Sequence, residues 1–212
     1  YQPDLHIVVV DPHRPGHELR YHPGETNLRR ALVVVINKED TANAADIETV
    51  RKNVMHTNPD AIIIDADSPL FINHAETIAG KRVLCVEDGP TLTHGEMKYG
   101  AAVVAAERFK AKELIDPRPF VKGRIAETFK KYPYIGTLLP AMGYGEQQMK
   151  DLEQTINSID CDLVLIGTPI DLSRIIKINK PSLRVEYELQ ETGSVTLETV
   201  LKKHFGKGCC CS

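Results

Sequence analysis

Residues 31–40, ALVVVINKED, decide how the rest of the chain is read. A continuous β-branched run without polar alternation marks a strand buried on both faces, as in parallel sheets covered by helices. Asn37-Lys38-Glu39-Asp40 stand directly at the end of that strand. Residues 44–56 follow, placing Ile47, Val50 and Val54 on one helical face. In an Asn-Lys-x-Asp loop so placed, the Asp40 carboxylate accepts hydrogen bonds from a guanine edge. Asn37 braces the loop and the Lys38 stem lies along the base. The plain alternative is a polar turn in which Asp40 or Thr41 caps the helix. The strand before and the helix after favour base recognition, with guanine the default and adenine left open.

The same grammar recurs along the chain. LHIVVVD (5–11), AIIIDAD (61–67), KRVLCVED (81–88), YIGTLLPA (134–141) and DLVLIGTP (162–169) are short apolar runs of the same kind. Helical patterns alternate with them over 95–109, 122–132, 146–159 and 195–205. This alternation predicts an α/β fold with mostly parallel, doubly wound sheets. SLRVEYELQE (182–191) alternates instead and predicts a half-exposed strand at a sheet edge. A polar connection ending at Gly80 is the expected end of a first domain over 1–78. A second α/β domain then occupies 79–206, and a cysteine-rich tail 207–212.

Composition narrows the function classes. The 212 residues are 42% hydrophobic and carry a formal charge of −3, so no basic face dominates and a general nucleic-acid binder is excluded. No run approaches the roughly 18 apolar residues that cross a bilayer. The first residue is Tyr1, and a strand begins almost at once without a charged-then-apolar leader, which reads as a fragment or a processed chain. Cys85 and Cys161 sit in apolar strands as small core side chains, and this usage fits a reducing, cytoplasmic setting. The tail from Cys209 to Ser212 has the outline of a prenylation box, with Lys202, Lys203 and Lys207 upstream. Its middle positions are Cys210 and Cys211 where aliphatic residues belong, so a lipid anchor at Cys209 competes with a disordered or appended terminus.

Ligands of open α/β sheets bind beyond the carboxyl ends of the strands, and here those ends are chemically decorated. After 5–11, a loop fixed by two prolines and a glycine projects His13, Arg14 and His17, suited to gripping an anionic substrate. His13 and His17 have the spacing of helical zinc ligands, but Pro15 and Gly16 between them oppose a helix. After 81–88, Glu87 and Asp88 are followed by Thr91, Thr93 and His94 at a helix start. Carboxylates there hold a metal or move a proton, and the alternative is that Asp88, Thr91 and Thr93 are caps. Arg118, in Asp-Pro-Arg-Pro, and Arg174, after Gly167-Thr168-Pro169, complete the cationic set. Gly143-Tyr144-Gly145 before a helix reads equally as an anion-accommodating turn or a plain helix entry.

Several of these stretches in the same order resemble the cyclic 2,3-diphosphoglycerate synthetase family, also described as predicted GTPases. The likeness runs from about residue 5 to about 190 and rests on VVVDPHRPGHELRYHPGETNL, VVINKEDTA, VEDGPTLTHGEMKYGA, DPRPFVKG, YPYIGTLLPAMGYGEQQMKDLEQTIN and GTPIDLSRIIKINKP. The resemblance implies the C-terminal half of a nucleotide-dependent, ligase-like cyclase. Its first domain would be an incomplete P-loop NTPase-like unit, whose Gly-x-x-x-x-Gly-Lys-Ser/Thr loop is absent from this sequence. It further implies ATP or GTP, Mg²⁺, a bisphosphorylated small acid as substrate, and a missing N-terminal half supplied in cis or trans. The chain alone would then be inactive, and a homo-oligomer is expected. In that frame Glu87, Asp88 and His94 are catalytic. His13, Arg14, His17, Thr91, Thr93, Arg118 and Arg174 bind substrate, Asn37, Lys38 and Asp40 bind nucleotide, and the metal ligands are open. The competing expectations are a GTP-binding switch, a metallochaperone-type NTPase, or a non-catalytic half-domain that needs a partner chain.

Overall fold

The apolar runs become strands and the periodic segments helices in the computed structural model, which describes residues 3–20, 22–94, 97–143 and 145–206, without the side chain of His94. In chain order the elements are β1 (Ile7–Val10), α1 (Gly24–Arg30), β2 (Val33–Ile36), α2 (Ala44–Thr57), β3 (Ile62–Asp67) and β4 (Leu70–Phe71). These are followed by β5 (Arg82–Asp88), α3 (Gly89–His94), α4 (Ala101–Arg108), β6 (Glu113–Leu114), α5 (Gly123–Lys131), β7 (Leu139–Ala141), α6 (Glu146–Ser158) and β8 (Leu163–Gly167). The chain closes with β9 (Ser182–Arg184), β10 (Glu186–Tyr187), β11 (Gln190–Glu191) and α7 (Leu197–Phe205). Two units emerge, one from residues 1–69 with 188–212 and the other from 70–187.

In the first unit the sheet order is β1-β2-β3-β11. β1, β2 and β3 run parallel, with Val33 opposite both Ile7 and Ile62, while β11 joins β3 antiparallel. All of β2 is buried, and its alternation explains why it carries no polar residue. Val34 and Ile36 pack with Leu28 of α1 and with Val50 and Val54 of α2. Val33 and Val35 face the opposite way, with Ile64, Ala66 and Val200 of α7. A strand covered by helices on both sides has no face on which a polar side chain is solvated.

In the second unit β5 is central. β8 and then β9 lie on one side, and β6 pairs with the start of β5 while β7 pairs with its end. Every one of these pairings is parallel. The core joins Val83–Val86 and Leu163–Ile166 with Ala105 and Ala106 of α4, Phe129 of α5 and Leu152 and Ile156 of α6. Both thiols expected in the core, Cys85 and Cys161, are buried and free. The α/β, mostly parallel expectation therefore holds in each unit.

Two expectations are corrected. Residues 182–191 form no single edge strand but break into β9, parallel to β8, β10, antiparallel to β4, and β11, antiparallel to β3. Val185 between them is buried, so the apparent alternation records successive partners rather than one exposed face. The helix expected over 95–109 begins only at Ala101. Lys98 offers its carbonyl to the N–H of Gly136 at 3.0 Å, and Gly100 is extended, which keeps 97–100 out of the helix. Among the described residues no helix is long and apolar enough to cross a membrane.

Candidate functional site

In the first unit the ends of β1 and β2 are held together by Asp11, which sequence reasoning quoted but did not assign. Its carboxylate accepts from Lys38 Nζ at 2.8 Å, from a terminal guanidinium nitrogen of Arg14 at 3.1 Å and from the His13 N–H at 3.0 Å. Burial pushes the Asp11 carboxyl up, but these hydrogen bonds and the Lys38 and Arg14 charges outweigh it and hold it below the usual carboxylate range. His13 Nε2 lies 2.9 Å from Thr41 Oγ1, so the first decorated loop is also tied to the loop after β2. His17 opens a one-turn 3-10 helix, and the neighbouring Glu18 accepts from Asn53 Nδ2 at 2.7 Å.

The loop after β2, expected to read a base, is partly occupied by internal bonds. Lys38 has a left-handed backbone, φ 67°, which turns the chain sharply at the end of β2. Its ammonium is engaged by Asp11, and Asp40 Oδ1 accepts from the Ser68 N–H at 3.1 Å. Asn37 Oδ1 and Arg14 Nε are buried without a hydrogen-bond partner. Leaving such atoms unmade costs roughly 1–3 kcal/mol each, so both loops carry an unmet bond inside the fold. Beside it, Arg51 joins Asp65 at 2.5 Å and Glu39 at 3.2 Å. Burial and then the Asp65 charge raise the Glu39 carboxyl, against the pull of Arg51.

In the second unit Glu87 and Asp88 end β5 side by side yet meet different surroundings. Glu87 is 2% exposed, and its carboxyl lies at the start of α4, where Val103 N–H donates to Oε1 at 3.0 Å. Burial pushes it up to about 8, opposed by the backbone N–H groups of Val103, Ala102 and Gly100. Space for it exists because two neighbours lack side chains. A Cβ on Gly100 would run into the Glu87 carboxyl, and one on Gly167 would come within 2.5 Å of Glu87 Oε2 and 2.9 Å of the Ala102 nitrogen. Asp88 accepts from the Thr91 hydroxyl at 2.8 Å and its N–H at 3.1 Å, the arrangement of a helix cap at the start of α3. The Thr93 hydroxyl is buried and donates to the Gly89 carbonyl at 3.0 Å.

The two arginines expected to grip the substrate are tied to different segments. Arg118 bonds Asp116 at 2.9 Å, donates to the carbonyls of Ile135 at 2.5 Å and Gly136 at 3.3 Å, and lies over the Phe129 ring. This is a clamp joining the approach to α5 to the segment after it. Arg174 is 83% exposed and pairs with Asp171 at 3.2 Å. The side chain of His94, Tyr144 between Gly143 and Gly145, and the tail from Lys207 with its possible lipid anchor at Cys209 lie outside the described residues. Among the described residues no group of three or more His, Cys, Asp or Glu side chains converges as a metal cage. Mg²⁺ commonly takes one or two carboxylates together with substrate phosphates and needs no such cage.

Asp11, Gly100 and Gly167 are the residues that reading the sequence missed. For Asp11 the signal was an acid at the end of a buried strand with cations a few residues on. Gly100 and Gly167 leave no local trace, because the group they accommodate is far away in the chain.

No family model matches the chain. The chain is 59% identical over 209 residues to arginine synthetase ArcE of Thermococcus kodakarensis, a match that covers 99% of this chain and 46% of that protein. It thus spans about half the length of the curated relative it matches. This likeness overturns the resemblance to the cyclic 2,3-diphosphoglycerate synthetase family, and with it the cyclising reaction on a bisphosphorylated acid. A regulatory GTP switch, a metallochaperone-type NTPase and a non-catalytic half-domain gain no support from it either.

Proposed function

We propose that this chain is part of a nucleotide-driven synthetase that acts in the formation of arginine. The observation that carries this reading is the 59% identity, sustained over 209 residues, to a protein named arginine synthetase. In this reading the first unit takes the nucleotide, ATP or GTP, as an incomplete NTPase-like unit. Asn37, its Oδ1 buried, braces the loop, Asp40 stands at the exposed rim toward the base, and Lys38 sets the loop through Asp11. His13, Arg14 and His17 line the same strand ends and suit anionic groups.

The second unit then serves the amino-acid substrate. Asp88 and Thr91, at the start of α3, are the carboxylate and hydroxyl for a cationic, hydrogen-bonding group such as a guanidinium. Arg174 is free of burial and suits a substrate carboxylate. Glu87 and Arg118 act here by positioning, the first at the start of α4 and the second beside Phe129. Mg²⁺ would enter with the nucleotide phosphates, and the phosphate-binding loop would come from the part of the longer protein outside these residues.

The test is nucleotide turnover by the full-length protein that carries this chain. Interconversion of nucleoside di- and triphosphate should depend on added arginine, and lysine should not replace it. Turnover indifferent to arginine would remove the reading.

A further inference from the structure

β1 is the edge of its sheet, pairing only with β2 among the described residues. The His6 carbonyl accepts from Val33 N–H at 3.2 Å and the Val10 carbonyl from Asn37 N–H at 3.1 Å, so the even-numbered residues face β2. The alternation of a parallel ladder then points the N–H and C=O groups of Ile7 and Val9 toward the open edge. Their side chains belong to rows that are otherwise closed. Val9 lies in register with Val35 and through it with Ile64, each 1% exposed, yet is itself 61% exposed. Ile7 is 38% exposed beside a fully buried Val33. On the helix covering that face, Leu201 and Phe205 are exposed as well.

Edge strands that end a sheet in solution are guarded by charge, proline or a bulge. The sequence of β1, Ile-Val-Val-Val, has no such guard. More than half the length of the arginine synthetase relative lies outside the match, so a protein of that length carries polypeptide able to cover this edge. We propose that the free edge of β1 is completed by an apolar β-strand from that remaining portion, which pairs with Ile7 and Val9 and covers their side chains. The proposal rests on the likeness to a longer relative and not on arginine chemistry, so either stands or falls without the other.

Amide hydrogen exchange on the full-length protein reads this directly. The Ile7 and Val9 amides should exchange as slowly as those of Val8 and Val10. Exchange at Ile7 and Val9 faster by about tenfold or more would overturn the proposal. In the same protein Val9→Cys should be alkylated far more slowly than Met55→Cys, a control on the exposed side of α2, with each site read by peptide mass spectrometry. Comparable rates would overturn it. Protection at residue 9 that disappears when the protein is diluted to a monomer would assign the edge to a second copy, and would also overturn it.

Discussion

Lys38 Nζ meets Asp11 Oδ2 at 2.8 Å, so an ion pair bridges the carboxyl ends of β1 and β2 across 27 positions of sequence. Asp11→Asn should cost about 1–3 kcal/mol at neutral pH, because Lys38 and Arg14 then lose their common anion. The folded-state pKa of Asp11 is depressed. Its contribution is therefore present above the unfolded value, near 3.8, and fades as pH falls through the lower folded value. Denaturant midpoints measured from pH 7 down to pH 3 (roughly the unfolded carboxylate range) should show the gap between wild type and variant closing at the acid end.

Glu87 predicts the opposite slope. Its carboxyl is raised from 4.5 to about 8 in the fold. Between those values the folded protein holds a proton that the unfolded chain releases, so stability falls as pH rises through that window. The steepest slope for one group is about 1.4 kcal/mol per pH unit. Glu87→Gln should flatten this decline, leaving the variant more stable relative to wild type at alkaline than at acid pH. A parallel decline in both proteins would show that Glu87 does not titrate there.

The space around that carboxyl gives a third expectation. Gly167→Ala places a methyl against the Ala102 backbone nitrogen and against Glu87 Oε2, whose carboxyl is buried and held by the Val103 N–H. It should destabilise by about 1–3 kcal/mol, as overpacking of a closed core does. The same change at Gly24, which opens α1 with nothing near its missing Cβ, is the control and should leave the thermal midpoint nearly unchanged.

Arg118 separates a clamp from a substrate ligand. Arg118→Lys keeps the charge but loses the fork that reaches Asp116 and two carbonyls, so it should recover little of the stability lost in Arg118→Ala. Loss of substrate affinity with an unchanged thermal midpoint would instead return Arg118 to the anion-binding set.

Much of the fold was legible because the strands are short β-branched runs, with β2 apolar and buried at every position. The helices over 44–57, 123–131, 146–158 and 197–205 were legible by periodicity to within a residue or two at each end. What escaped was set by distant partners. The late start of α4 depends on Glu87 from β5 and on the bond between Lys98 and Gly136. The division of 182–191 depends on β8, β4 and β3 in turn. The candidate side chains were named by type and position alone, and their internal engagements, Lys38 with Asp11 or Arg118 with Ile135, leave no local pattern. The wrong substrate followed from the family resemblance, and the likeness to arginine synthetase corrects it.

The central claim is arginine chemistry, and a single comparison tests it most directly. The full-length protein is supplied with ATP or ADP, GTP or GDP, Mg²⁺ and phosphate. The initial rate of nucleotide interconversion is then measured with arginine and, separately, with 2,3-diphosphoglycerate. The account predicts a rate that saturates with arginine and stays at background with the bisphosphate. A rate that follows the bisphosphate, or that neither compound changes, would contradict it.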